Sequence, residues 1–265
     1  MISRRDFVKG LMTCAISSAL LPTALARKGN ARFAILYNGF NCVGCQICQL
    51  ACKERNNLPK ELETELSHKT YVYVSAGVRE GKEVRVRYSC MHCGKAPCLE
   101  ACPVRAINRS ESGFVYIDQR KCIGCQYCIV ACHYGVPKFD PVNKVSTKCH
   151  GCFDLVEKGG KPACVEACPW NALEFGDRDL MVERAETLAA KHDGYVYGLE
   201  EANGLGVLYV LPVDAEKTGI FPRVRRDETR YPPDYIYEPI LVVLMPIIGF
   251  YTVKEYLKAE KGERK

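Results

Sequence analysis

Cysteine spacing constrains this chain more than any other feature. Cys122, Cys125, Cys128 and Cys132 stand at C-x2-C-x2-C-x3-C, the spacing of a bacterial [4Fe–4S] run. Three thiolates two residues apart wrap one face of a cubane, because a short loop lets each sulfur reach a different iron. Gly124 gives that loop the backbone freedom it needs close to inorganic sulfide. In two-cluster ferredoxins the fourth cysteine serves a second cluster, so one such run predicts a partner elsewhere. Cys42, Cys45, Cys48 and Cys52 repeat the spacing, with Gly44 matching Gly124. Two further groups are Cys90, Cys93, Cys98 and Cys102, followed by Pro103, and Cys149, Cys152, Cys164 and Cys168, followed by Pro169. The last of these carries an insertion, residues 153–163, between its second and third members.

Sixteen of the 17 cysteines fall into these groups of four. Zinc is a poor rival for the first and third groups, where a third cysteine two residues on is surplus for a tetrahedral ion. Covalent haem attachment is excluded, since no C-x-x-C is followed by histidine. With four cysteines in each group, His92 and His150 read as neighbours of the ligands or as solvent-facing side chains and not as ligands; His133 reads the same way, or as a group that tunes a potential. Lys121 and Lys148 each precede a group and read either as counter-charges for reduced clusters or as solvated side chains. No nucleophile with its base, no dinucleotide-binding loop and no Walker A loop is recognisable, which points to electron transfer without substrate chemistry.

Charge agrees with that reading. The formal net charge is +6, a weak hint of nucleic acid or membrane surface. Removing residues 1–26 leaves about +4, and four all-thiolate oxidised clusters at about −2 each turn the total negative. The basic side chains then read as counter-charge for clusters and not as a nucleic-acid footprint.

The N-terminus joins Arg4-Arg5, an apolar run from Leu11 to Leu21 and a small-residue site ending at Ala26. This reads as a twin-arginine signal, cleaved after residue 26, and predicts export to the periplasm; the competing reading is a transmembrane anchor, for which the apolar run is short. An oxidising compartment would favour disulfides. The twin-arginine route resembles the one used by proteins exported already folded around a cofactor, which lets thiolates persist there.

Residues 32–37 read as a buried strand. Residues 70–75 and 83–88 read as a hairpin around a Gly77…Gly81 turn, 113–118 as another strand and 172–176 as a closing strand. The pattern is an internal repeat of strand, cysteine loop and short helix, four times over. Residues 177–192 read as a helix capped by Asp177, 195–199 and 206–211 as a second hairpin, and 221–233 as an extended connector. Residues 239–253 are uncharged. With their flanks they give a candidate membrane-spanning helix over 235–257, belted by Tyr235, Tyr237, Tyr251 and Tyr256. A basic tail, 258–265, follows it and matches the cytoplasmic side. The competing reading of this stretch is a helix packed on a partner.

From about Phe33 to Gly176 the four groups, in this order and spacing, resemble the four-cluster iron–sulfur subunits that accompany molybdopterin oxidoreductases and some [NiFe] hydrogenases. The resemblance implies an α+β fold of two ferredoxin-like domains, one of them discontinuous, binding four [4Fe–4S] clusters. The outer cysteine groups fall in 27–60 plus 145–176, the inner groups in 61–144, and 177–233 is a C-terminal extension. It further implies that the outer groups pair, as do the inner ones. Cys42, Cys45, Cys48 and Cys168 would hold one cluster and Cys149, Cys152, Cys164 and Cys52 its neighbour. Cys90, Cys93, Cys98 and Cys132 would hold a third, and Cys122, Cys125, Cys128 and Cys102 the fourth. Lys53 and His133 depart from the family, which often has proline after the fourth cysteine.

Cys-Met-His-Cys at 90–93, Val-Pro-Lys-Phe-Asp at 136–140, and Lys-Gly-Gly-Lys-Pro at 158–162 resemble the periplasmic, membrane-tethered subunits of hydrogenase 2-type [NiFe] hydrogenases. The expected function is therefore a relay between such a catalytic subunit and a quinone-reactive integral membrane subunit. The alternatives are the same relay for a molybdopterin oxidoreductase of the polysulfide, tetrathionate or nitrite type, and a freely diffusing carrier. Little-charged docking surfaces are expected near the outermost clusters.

Overall fold

The computed structural model describes residues 32–224, all of which belong to one compact unit. Its centre is a four-stranded sheet. Strand β1 (Phe33–Asn38) pairs in parallel with β10 (Val207–Leu211) and antiparallel with β8 (Leu173–Asp177), while β10 pairs antiparallel with β9 (Tyr195–Tyr197), giving the order β8-β1-β10-β9. The two inner strands read as unbroken apolar runs because both of their faces are covered.

Side chains alternate across the sheet with period two, and the two faces do different jobs. Ala34, Leu36, Leu208 and Val210 pack against Ala185, Leu188 and Ala189 of helix α6 (Arg178–His192). Ile35, Tyr37, Val207, Tyr209 and Leu211 face the other way, into the apolar cluster that also contains Cys90 and Cys164. Helix α6 starts where expected: the Asp177 carboxylate accepts the Asp179 backbone N–H at 3.0 Å. It ends at Asp193, in the left-handed region, with Gly194 N–H closing on the Ala189 carbonyl.

Three two-stranded hairpins complete the strands: β2 (Tyr73–Arg79) with β3 (Lys82–Tyr88), β4 (Ile107–Arg109) with β5 (Val115–Ile117), and β6 (Lys138–Asp140) with β7 (Val145–Thr147). The first is longer than expected. Its turn is the left-handed pair Glu80–Gly81, a two-residue connection that matches strand twist, so Gly77 lies within β2. Strands β1, β3, β5 and β7 each lead within a few residues into a cysteine group, which realises the repeat.

Short helices follow the cysteine loops: α1 (Ile47–Arg55), α2 (Pro97–Glu100), α3 (Tyr127–Ala131), α4 (Phe153–Val156) and α5 (Ala163–Glu166). Helix α1 packs on α5, and α2 on α3. The hairpin expected from 195–211 forms, and its β10 strand enters the sheet beside β1. Phe221, placed by sequence in a connector, is instead buried: its ring stacks on Tyr197 with centroids 4.8 Å apart and also meets Tyr209, Tyr88 and Tyr134.

Among the described residues no helix is long and apolar enough to cross a membrane. The signal at 1–26, the candidate spanning helix at 235–257 and the basic tail at 258–265 lie outside the described residues.

Candidate iron–sulfur centres

The cysteine loops are shaped by left-handed backbone. In three of them the residue before the second cysteine is a glycine with positive φ: Gly44 (φ 74), Gly124 (φ 69) and Gly151 (φ 70). A Cβ at Gly124 would stand 2.3 Å from the Lys144 carbonyl oxygen, and one at Gly151 would stand 2.5 Å from Phe114 Cγ. In the second group the same place is taken by His92, at φ 49, a conformation that costs a side-chain-bearing residue on the order of 1–3 kcal/mol. His92 is held there by its ring. Val115 N–H donates to Nδ1 at 3.0 Å, which leaves the proton on Nε2, 3.7 Å from Cys149 Sγ. Burial, with Lys148 nearby, keeps its pKa well below the ordinary histidine value, so the ring is neutral.

The thiols gather across the chain and not along it. The electrostatic neighbours of Cys48 include Cys164, Cys42 and Cys168, whereas those of Cys52, one helical turn further along α1, are Cys149, Cys164 and Cys152. Cys93 has Cys90, Cys132 and Cys98 around it, and Cys128 has Cys122, Cys125 and Cys102. Electrostatic influence links each set to the next, Cys48 with Cys164, Cys149 with Cys90, and Cys98 with Cys128. These links order the sets from first to fourth; the exposed thiols are Cys125, in the fourth set, and Cys45, three residues after Cys42 of the first. Two helix contacts enforce the arrangement: α1 against α5 brings Cys48 and Cys52 to Cys164, and α2 against α3 brings Cys98 to Cys128.

All sixteen cysteines in the described residues are free thiols. Burial, with adjacent thiols adding to it, pushes Cys149 up to about 12, as burial also does for Cys48, and it raises Cys52, Cys93 and Cys98 as well. Such sulfurs are poor anions alone, and iron cations are the species that would hold them as thiolates.

The surroundings suit that state. Backbone N–H groups of Ala106, Ser146 and Gly151 donate to the sulfurs of Cys102, Cys122 and Cys149 at 3.2, 3.4 and 3.4 Å. Asn56 donates to Cys52 Sγ at 3.6 Å, and His150 Nε2 meets Asn56 Oδ1 at 2.8 Å. Arg87 donates to Cys164 Sγ at 3.3 Å and Lys148 to Cys90 Sγ at 3.4 Å. Among the described residues no three His, Cys, Asp or Glu side chains crowd one point as the ligands of a single ion do. The corners of a cage, with one thiolate per iron, stand farther apart. The cavity ringed by Cys102, Cys122, Cys125 and Cys128 is otherwise walled mainly by apolar side chains, Val104, Ile107, Ile117 and Ile123, with Gln126 and Ser146. The donor set and its surroundings fit [4Fe–4S] clusters.

Sequence reasoning left the histidines either beside the ligands or facing solvent; the structure places His92 and His150 beside cysteine groups, with His92 Nε2 3.7 Å from Cys149 Sγ and His150 Nε2 on Asn56. Sequence reasoning missed that His92 fills a glycine's place, a signal present in the comparison of the four loops. Of the two lysines preceding cysteine groups, Lys121 is exposed and Lys148 buried. Lys53, at a departure from the family pattern, is 1 % exposed and faces the Glu63 carboxylate at 3.6 Å, too far for a hydrogen bond.

Residues 84–178 match the family described as 4Fe-4S dicluster domain. The B subunit of the anaerobic dimethyl sulfoxide reductase of Escherichia coli (strain K12) is 36% identical over 167 residues, 60% of this chain and 80% of the relative. Protein NrfC of the same strain is 36% identical over 205 residues, 74% of this chain and 90% of NrfC. The uncharacterized ferredoxin-like protein YdhX of that strain is 37% identical over 182 residues, covering 67% and 81%.

Proposed function

Because the chain belongs to the 4Fe-4S dicluster family of iron–sulfur electron-transfer subunits, we propose that it relays electrons through four clusters for a reductase of the dimethyl sulfoxide reductase kind. The clusters supply one-electron oxidation and reduction at iron, with potentials set by hydrogen bonds to sulfur, charge and burial.

In this reading Cys42, Cys45, Cys48 and Cys168 hold the first cluster, and Cys149, Cys152, Cys164 and Cys52 the second. Cys90, Cys93, Cys98 and Cys132 hold the third, and Cys122, Cys125, Cys128 and Cys102 the fourth. The observation that carries it is the interleaving of thiols far apart in sequence into four neighbourhoods in a row. A row buried in its middle, with an exposed thiol at each end, suits entry at one end and exit at the other. Apolar side chains surround both ends: Val43, Ile47 and Leu50 near Cys45, and Ile123, Tyr127 and Val130 near Cys125, all exposed. Desolvating such surfaces favours docking.

The catalytic partner is read from the relatives. They include a dimethyl sulfoxide reductase subunit, which favours a molybdopterin oxidoreductase over the [NiFe] hydrogenase suggested by short motifs such as Cys-Met-His-Cys. Those motifs lie within residues 84–178, the stretch that matches the general dicluster family. A membrane quinone-reactive subunit as second partner, twin-arginine export and a periplasmic location rest on the terminal segments of the sequence.

The test is isolation of the chain with its partners from solubilised membranes. The expected complex contains molybdenum and about sixteen irons with matching acid-labile sulfide in this chain. Nickel in place of molybdenum would restore the hydrogenase reading, and clearly fewer irons would remove the four-cluster one.

A further inference from the structure

Four cationic side chains are buried among the described residues: Lys53, Arg87, Lys148 and Arg178. Lys53 has the Glu63 carboxylate, and Arg178 spends its guanidinium on the carbonyls of Leu205 and Leu199. Arg87 and Lys148 are different. Arg87 is 1 % and Lys148 6 % exposed, and no carboxylate among the described residues pairs with either. A buried cation without a counter-charge costs several kcal/mol, so the anions that balance these two must be something else.

Their partners are the sulfurs. Arg87 donates to Cys164 Sγ at 3.3 Å and to Ser89 Oγ at 2.7 Å. Cys164, Cys48 and Cys149 are among the groups that act on it, so it lies between the first and second cysteine sets. The three ammonium protons of Lys148 find Cys90 Sγ at 3.4 Å, the Cys149 carbonyl at 3.0 Å and the Val115 carbonyl. Cys90 and Cys98 on one side and Cys149 on the other are its electrostatic neighbours. It therefore lies between the second and third sets. No cation stands among the principal neighbours of Cys128 in the fourth set, whose sulfurs receive backbone donors from Ala106 and Ser146.

We propose that Arg87 and Lys148 are shared potential-setting residues, each favouring the reduced state of two adjacent clusters at once and leaving the fourth cluster without a buried cation of its own. This rests on the four-cluster reading above. The physical reason is that reduction adds a negative charge within a medium of low dielectric, where a fixed cation at hydrogen-bond distance from a ligating sulfur acts strongly. A hydrogen bond to one sulfur tunes one cluster. A charge held between two sets tunes both, which gives a signature that does not depend on assigning the signals.

The experiment is an EPR-monitored redox titration of the full chain holding its clusters, wild type against Arg87→Gln and Lys148→Met. Each variant is expected to move two of the four midpoints to more negative values, with one midpoint moving in both variants and one in neither. Unchanged midpoints in fully loaded variants would overturn the proposal, as would an equal shift of all four. Where a neutral variant fails to take up its iron, the charge-keeping Arg87→Lys and Lys148→Arg decide. Native midpoints in these support the assignment, and midpoints displaced as negative charge would displace them overturn it. A wild-type chain without four [4Fe–4S] signals would instead defeat the underlying functional reading.

Discussion

Cys48 and Cys52 sit one turn apart on α1, on the same helical face, yet they belong to different thiol sets. The local expectation would give all four cysteines of residues 42–52 to one cluster. The structure instead brings Cys168 toward Cys42 and Cys48, and Cys52 toward Cys149, Cys152 and Cys164. The perturbation that separates these alternatives is a pair of double variants. Cys45→Ala with Cys168→Ala removes two ligands from one cross-paired set, so one station is lost and about twelve of sixteen irons remain, four per cluster. Cys152→Ala with Cys168→Ala removes one ligand from each of two sets and disturbs two stations. Counting midpoints in a redox titration, with iron and acid-labile sulfide measured on the same samples, reads out both. Because the two variants each remove two thiols, a general loss of stability affects them alike. Two stations disturbed by the first variant and one by the second would refute the cross-pairing.

Three further outcomes follow from particular contacts. Gly124→Ala places a Cβ against the Lys144 backbone at 2.3 Å, on a left-handed residue that alone costs about 1–2 kcal/mol. It should lose the fourth cluster's iron, while Gly81→Ala, equally left-handed but with nothing near it, should keep full iron. Phe221→Ala empties a buried site among Tyr88, Tyr134, Tyr197 and Tyr209. It should cost about 3–5 kcal/mol, lowering the apparent Tm in a calorimetric scan; an unchanged Tm would show that the contact is not maintained. Glu63 is partly buried, which works against its charge, but the hydrogen bond from the Ser67 hydroxyl at 2.8 Å and the nearby Lys53 charge hold its carboxyl below the ordinary value. A depressed carboxyl contributes stability above its unfolded pKa and loses it as pH falls through the folded one. Glu63→Gln should therefore destabilise at neutral pH by about 1–3 kcal/mol, since Lys53 loses its counter-charge, and should match wild type at low pH.

The loops that grip iron are local objects. Spacings of three residues, a strand leading in and, in three of the four, a glycine before the second cysteine are enough to define them, so the number of thiols, the fourfold repeat and the chemistry could be read along the chain. The Asp177 cap and the helix after it were legible for the same reason. What the tertiary structure alone decides is everything that depends on which distant segments meet. Lys121 and Lys148 share one local context, Lys-Cys-x-Gly-Cys, yet Lys121 is solvated and Lys148 is enclosed by the Val115 carbonyl and Cys90 Sγ. The third cysteine loop lies at the end of the row and the fourth in its interior, and no window around either lysine carries that information. Strand β10 is a similar case. Its apolar run could pair locally with β9, but the parallel partnership with β1 spans some 170 residues, and it closes the sheet whose one face buries α6 and whose other face shelters the thiols. Residue type and spacing determine what each loop can bind. Burial, and the partner each loop meets, determine which charges remain beside it and which loops bring their thiols together.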